Sequence, residues 1–205
     1  DMVILPGSKN TISDMAWLKE KGFFTAIKRF CKKGGLVAGI CGGYQMLGKS
    51  VSDPLGVEGR VKKSEGLGLL DVETVLKKDK KTFQVKAHLN GGGGGRRAIL
   101  KGYEIHMGET LSRESPFATI TRRNNCPVNI PDGAATKDGL VWGTYIHGIF
   151  DNDCLSRSLL KRLRQGKGAA SGAYSPVNFT REKKRSLDML AQAVEDSIDM
   201  KALLR

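Results

Sequence analysis

The chain has 205 residues, 40% of them hydrophobic, and a formal charge of +13. That length supports one core of ordinary size or two small ones, no apolar run reaches the length of a membrane span, and no basic-then-apolar leader opens the chain. The charge fits nucleic acid, an acidic partner or substrate, or plain solubility, but basic residues are spread along the chain, and 6% aromatic content argues against a base-stacking platform.

Asp1 enters a strand-like run, Met2 to Leu5, almost at once, so a fragment of a longer protein is expected. The turn Pro6-Gly7-Ser8 closes that strand, and Ser13 is the expected N-cap of a helix carrying Met15, Ala16 and Leu18. Phe23, Phe24, Ile27, Phe30 and Cys31 recur at helical spacing, with Gly34 as the stop. Leu36 to Ile40 is a second buried strand, and Tyr44 to Leu47 begins another helix. The alternation predicts an α/β fold with a mostly parallel sheet flanked by helices.

The second half is β-rich. Leu69 to Leu76 and Thr82 to Leu89 read as two strands; in the latter Phe83, Val85, Ala87 and Leu89 alternate with Gln84, Lys86 and His88. Gly91 to Gly95 is expected to be a flexible surface loop. Ile99 to Met107, Phe117 to Arg122 and Leu140 to Ile146 are further strands. Helices return at Leu155 to Leu163 and from Arg181 to about Ile198, the second with Leu187, Leu190, Ala191, Val194 and Ile198 on one face. Residues 1–165 are expected to form one domain and 166–205 a linker and C-terminal helix. The four cysteines (31, 41, 126 and 154) show neither CxxC nor finger spacing. They predict free thiols in a reducing compartment, the cytoplasm, and no metal site.

Gly39-Ile40-Cys41-Gly42-Gly43 fits a nucleophile elbow, in which small neighbours permit a strained strand-to-helix turn. The following helix directs its first N–H groups at the sulfur, which favours thiolate, and the Gly42 N–H is placed for an oxyanion. A buried structural cysteine in a Gly-rich turn produces the same pattern. The overlapping stretch from Gly43 through Gly48, Lys49 and Ser50 matches a phosphate-loop pattern. Its Tyr44, Gln45, Met46 and Leu47 suit a bulky helical turn better than an open phosphate cradle. A nucleophilic cysteine needs a base. Of the three histidines, His88 alternates with apolar residues and is expected to face solvent, and His106 shares a strand face with Glu104. His147 ends an apolar strand just before Gly148, where α/β sheets keep their sites, and is the preferred base.

Taken together, Ile40-Cys41-Gly42-Gly43-Tyr44-Gln45, Tyr145-Ile146-His147-Gly148 and Val3-Ile4-Leu5-Pro6-Gly7-Ser8 resemble the motifs of the class I (triad-type) glutamine amidotransferases. More narrowly, Leu5 to Thr11, Gly56 to Gly59, Gly66 to Leu70, Gly102 to Gly108 and Trp142 to Gly148 recur in the order found in the cobyric acid synthase branch. The resemblance runs from Asp1 to about Leu163.

The resemblance implies that glutamine is hydrolysed to glutamate and ammonia. Cys41 would attack the side-chain amide, His147 would relay protons, Gly42 and the Gly7-Ser8 loop would hold the oxyanion, and Gln45 would help bind glutamine. It implies an N-terminal synthetase domain beyond this chain, with ATP and magnesium there and no cofactor here. The substrate of that domain would be a corrinoid polycarboxylate on the route to cobalamin. Other amidotransferases, one forming a corrinoid a,c-diamide and one amidating cell wall, share these motifs; a non-catalytic basic module of the same fold is the alternative from another class. Neither nucleic acid nor membrane is an expected partner. Where most of the family places a glutamate two residues after the histidine, this chain has Ile149. That predicts a Cys–His dyad and slow glutamine hydrolysis until a partner domain organises the site, with Asp151 an unsupported substitute. The family also has more chain before the first strand. Glu104 and His106 are carried as candidates, either lining the site or forming a polar pair. Cys31 is expected in the core.

Overall fold

The computed structural model describes residues 1–90, 98–165, 179–199 and 202. The glycine run at 91–95 and the expected linker at 166–178 lie outside the described residues. Two units are present, Asp1–Ile149 and Phe150–Arg205.

In the first unit, β1 (Met2–Leu5) is followed by α1 (Thr11–Glu20) and α2 (Phe23–Lys32). Asn10, not Ser13, caps α1: its side-chain oxygen accepts from the Ser13 N–H at 3.1 Å. Both residue types can cap, and the one that opens the turn takes the role. β2 (Leu36–Ile40), buried at all five residues, runs into α3 (Gly42–Leu47). There follow β3 (Ser50–Ser52), β4 (Lys63–Glu65), β5 (Val72–Leu89), β6 (Ile99–Ser112), β7 (Ala118–Arg123), β8 (Cys126–Asp132), β9 (Ala134–Ala135), β10 (Val141–Thr144) and β11 (Ile146–His147).

These strands form two sheets. One has the order β1-β2-β10-β9, parallel except for the last pair. The other runs β11-β6-β5-β3-β4, with β7 and β8 added alongside β5; its pairs are antiparallel apart from β3 with β5. The two strands expected between Leu69 and Leu89 are one long strand, irregular between Leu76 and Lys81. Its alternation holds: Val85 and Ala87 are buried, Gln84 and Lys86 exposed. His88, expected in solvent, is half-buried, and its Nδ1 is buried without a hydrogen-bond partner. The strand expected over Leu140 to Ile146 breaks at Tyr145, with β10 in the first sheet and β11 in the second.

The core of this unit gathers Leu5, Met15, Val37, Tyr44, Leu47 and Tyr145, with Cys31 packed against it. Burial, with the Asp138 charge adding, pushes the Cys31 thiol up. Phe117 stacks on Trp142 at 4.5 Å between ring centroids. The second unit holds α4 (Asp153–Gln165) and α5 (Phe179–Ser197). The expected apolar face of α5 forms, with Leu187, Leu190, Val194 and Ile198 exposed in this chain. Among the described residues no helix is long and apolar enough to cross a membrane.

Candidate active site

Burial of β2 between two parallel neighbours fixes where its C-terminal end points. There the chain turns through Cys41 at φ 54 and ψ −112 and enters α3. A non-glycine residue with positive φ is strained and survives only where its surroundings impose it. Here they do. A Cβ at Gly39 would lie 2.6 Å from the Gly43 backbone, and one at Gly43 would overlap the Leu5 carbonyl oxygen. The Cys41 N–H donates to the Thr144 oxygen at 2.8 Å, tying the elbow to β10.

Three segments meet at the Cys41 thiol. The loop after β1 brings Gly7 up to it: a Cβ at Gly7 would stand 3.6 Å from Cys41 Cβ and 3.4 Å from His147 Cε1. Ser8 follows, and a Cβ at Gly42 would lie 2.8 Å from the Ser8 nitrogen. The Ser8 hydroxyl is occupied elsewhere, donating to Asp14 at 2.5 Å and accepting from the Asn10 N–H at 2.9 Å. What Gly42 meets is thus the main chain of the Gly7-Ser8 loop. The Gly42 amide opens α3 and has no acceptor one turn back.

The second segment is β11, and the third is β6. β11 pairs with Tyr103 and Glu104 of β6, and a Cβ at Gly102 would overlap the His147 carbonyl oxygen, so glycine there lets the strands close. The next residue of β6, Ile105, turns its carbonyl oxygen to the site. That oxygen accepts from Cys41 Sγ at 3.2 Å and lies 3.3 Å from His147 Nε2. The two expected catalytic side chains therefore converge on one backbone atom. Ile149 is buried, so position 149 offers hydrocarbon and no carboxylate.

Gln45 lies one turn into α3, buried, with its amide used internally. Its Nε2 donates to the Tyr145 hydroxyl at 3.2 Å, and its Oε1 accepts from Thr11 Oγ1 at 3.2 Å. Tyr145 is bonded onward to Thr110, and Thr110 to Thr74 at 2.7 Å. Burial pushes the Tyr145 phenol up to about 12.

Glu104 and His106 are both buried and belong to a cluster that sequence reading did not assemble. The Glu104 carboxylate accepts from Arg123 Nε at 2.7 Å and Nη2 at 2.6 Å, and lies 3.0 Å from His106 Nε2. Burial pushes the Glu104 carboxyl up, but His106 and Arg123 outweigh it and hold it below the usual carboxylate range. His106 Nδ1 lies 2.7 Å from the Gly108 oxygen. Its ring stacks on Tyr145 at 4.0 Å between centroids. Asp132 accepts from Thr144 Oγ1 and from the Tyr145 N–H; burial raises its carboxyl to about 6 against those bonds. Glu104, His106, Arg123, Asp132 and Tyr145 line a cavity of about 480 Å³, which neither Cys41 nor His147 lines.

Sequence reading also missed Glu58. Its carboxylate accepts from the Thr11 N–H at 2.6 Å and Oγ1 at 3.2 Å, and its own N–H donates to buried Asp53 at 2.9 Å. The signal was present, because Glu58 sits in the quoted Gly56 to Gly59 stretch. The phosphate-loop reading fails physically: Gly43 to Leu47 is a buried helix, and Lys49 pairs with Asp71 at 2.6 Å. Cys126 and Cys154 are exposed. Among the described residues no group of three or more His, Cys, Asp or Glu side chains could hold a metal ion.

A family model described as the CobB/CobQ-like glutamine amidotransferase domain matches residues 1–154. The chain belongs to that family. Cobyric acid synthase of Syntrophobacter fumaroxidans is 46% identical over 212 residues, covering 100% of this chain and 41% of that protein. Cobyric acid synthase of Limosilactobacillus reuteri is 45% identical over 202 residues, covering 98% and 39%. The amidotransferase chain thus spans about 40% of the length of these relatives. Among solved structures, PurLQS from Thermotoga maritima matches with a TM-score of 0.55 and 17% identity, over 79% of each chain. A crystal structure of a glutamine amidotransferase matches with a TM-score of 0.52 and 17% identity, over 78% of this chain and 77% of that one. At such identity the likeness shows the fold. It agrees with the mixed α/β layering of this amidotransferase domain.

Proposed function

We propose that this chain is the glutaminase part of a cobyric acid synthase, supplying ammonia for ATP-dependent amidation of corrinoid carboxylates in cobalamin formation. The observation that carries the reading is the strained Cys41 elbow, with His147 and the Gly7-Ser8 main chain brought against it. Cys41 attacks the carboxamide carbon of glutamine. The Gly42 and Ser8 amides receive the negative charge that develops on its oxygen. His147 protonates the departing ammonia and then draws a proton from the water that opens the γ-glutamyl thioester.

Gln45 acts from behind this site. Its amide is committed to Thr11 and Tyr145, so it shapes the glutamine pocket by holding α3 against the start of α1 and the turn at Tyr145. Amidation itself belongs to an N-terminal synthetase domain that binds ATP and magnesium, a partner suggested by the length of the relatives. Amide hydrolysis by a thiol and an imidazole calls for no cofactor. A cytoplasmic setting suits its thiol chemistry.

The test is covalent trapping with a glutamine-mimicking diazoketone, followed by peptide mass spectrometry. An adduct on Cys41 alone, suppressed by glutamine, is expected. Equal labelling of Cys41, Cys126 and Cys154 on folded protein would sink the reading and favour a non-catalytic binding module.

A further inference from the structure

The dyad lacks the carboxylate that would orient its imidazole, and the structure places another acceptor beside it. We infer that the main-chain carbonyl of Ile105 orients His147 in place of a third side chain, with Glu104, Arg123 and His106 as the positioning residues that hold that carbonyl still. The inference rests on the glutaminase reading and deepens it.

The first ground is chemical. The Ile105 oxygen lies 3.3 Å from His147 Nε2, within hydrogen-bond reach of the ring it orients. When His147 takes up a proton, the ring becomes a cation, and the carbonyl dipole beside it stabilises that cation as a carboxylate would, more weakly. The same oxygen accepts from Cys41 Sγ at 3.2 Å, so nucleophile and base are both registered against one atom.

The second ground is mechanical. Ile105 pairs with Thr82 of β5 and lies close to where one ladder of β6 ends and the other shifts. On one side β11 pairs with Tyr103 and Glu104 only. On the other, the pairing with β5 shifts between Leu76 and Lys81, so that His106 is the last residue in register before Gly108. A carbonyl at such a place needs anchoring from elsewhere. The side chains on either side of Ile105 supply it. Glu104 is gripped by Arg123 from β7 through two short bonds, and His106 bridges from Glu104 to the Gly108 oxygen while stacking on Tyr145. The cluster thus fixes the backbone immediately before and after the carbonyl.

The experiment uses the full natural polypeptide and compares the parent with Glu104→Gln and Arg123→Lys. In Glu104→Gln, kcat for glutamine hydrolysis is expected to fall about tenfold or more with KM changed less than about twofold, because orientation is lost and binding is not. Alkylation of Cys41 by iodoacetamide should slow by a similar factor. Arg123→Lys, which keeps a cation on Glu104, should recover most of both. Should Glu104→Gln not fold, His106→Gln carries the same expectation. A folded variant with unchanged kcat and unchanged alkylation would overturn the inference, and so would a rise in kcat, which would make the carbonyl a restraint. A parent whose Cys41 takes no diazoketone overturns the glutaminase reading and this inference together; a labelled parent with unaffected variants overturns this inference alone.

Discussion

Gly7 faces the imidazole of His147 so closely that a methyl group on it would stand 3.4 Å from Cε1, an ordinary contact distance. Gly7→Ala should therefore fold, with stability within about 1 kcal/mol of the parent. The methyl would nevertheless occupy the space between nucleophile, base and oxyanion loop. Glutaminase kcat/KM should fall by about a hundredfold, the cost of a misplacement near 1 Å. Thermal melting and steady-state kinetics on one preparation check both halves. A variant of unchanged activity would remove Gly7 from the site.

Gly43 gives the opposite outcome. A Cβ there overlaps the Leu5 carbonyl oxygen, which is backbone and cannot rotate away. Gly43→Ala should cost about 3 kcal/mol or more, since β1 must move off the elbow. Loss of soluble protein, or a melting point lowered by many degrees, is expected. A variant that melts with the parent would show that the elbow is looser than drawn.

The Gln45 amide separates a structural role from a substrate-binding one. Gln45→Ala leaves the buried Thr11 and Tyr145 hydroxyls each short of a partner. The expected loss is about 1–3 kcal/mol of stability, visible in urea unfolding. Were Gln45 only a ligand for glutamine, KM would rise and the unfolding midpoint would stay put.

Asp132 makes stability depend on pH in an unusual direction. Burial raises its carboxyl in the folded protein to about 6, above the ordinary 3.8. Between those values the folded chain binds more protons than the unfolded one, so stability from this group is complete below the ordinary value and is lost as pH rises through about 6. Glu104, held below its usual range, works the other way: its share is present above the ordinary carboxylate value and is lost as pH falls through the depressed one. The difference in melting temperature between parent and Asp132→Asn, followed from pH 4 to 7, isolates the first effect. Asn keeps one acceptor oxygen, for the Tyr145 N–H, and cannot ionise, so whatever the constant cost of the lost second acceptor its relative stability should climb with pH. A flat difference would mean that Asp132 ionises freely.

How much of this was legible depended on whether the signal was local. The elbow was, because a strained turn permits only small residues beside Cys41, and that requirement is written in five consecutive positions. His147 was legible for the same reason, standing where an apolar run meets Gly148. The break at Tyr145 was not. Apolar residues on both sides of it satisfy the same periodicity, and nothing local says that Thr144 hydrogen-bonds in one sheet and Ile146 in another. Likewise Asn10 and Ser13 are equally good caps on paper, and only the path of the loop after β1 decides between them.

The sequence by itself determined the fold class, the strained turn at Cys41, the strand end that carries His147 and the loop that faces them, because each depends on residue types at short, fixed spacing. Only the tertiary structure decided what stands in for the missing carboxylate. Ile105 acts through a backbone oxygen, and every residue carries one, so no residue type announces it. Glu104 and Arg123 are 19 positions apart, and their pairing follows from β6 and β7 flanking β5. A charge buried in that way is tolerated only when its partner arrives from another strand, and that arrival is a property of the folded chain.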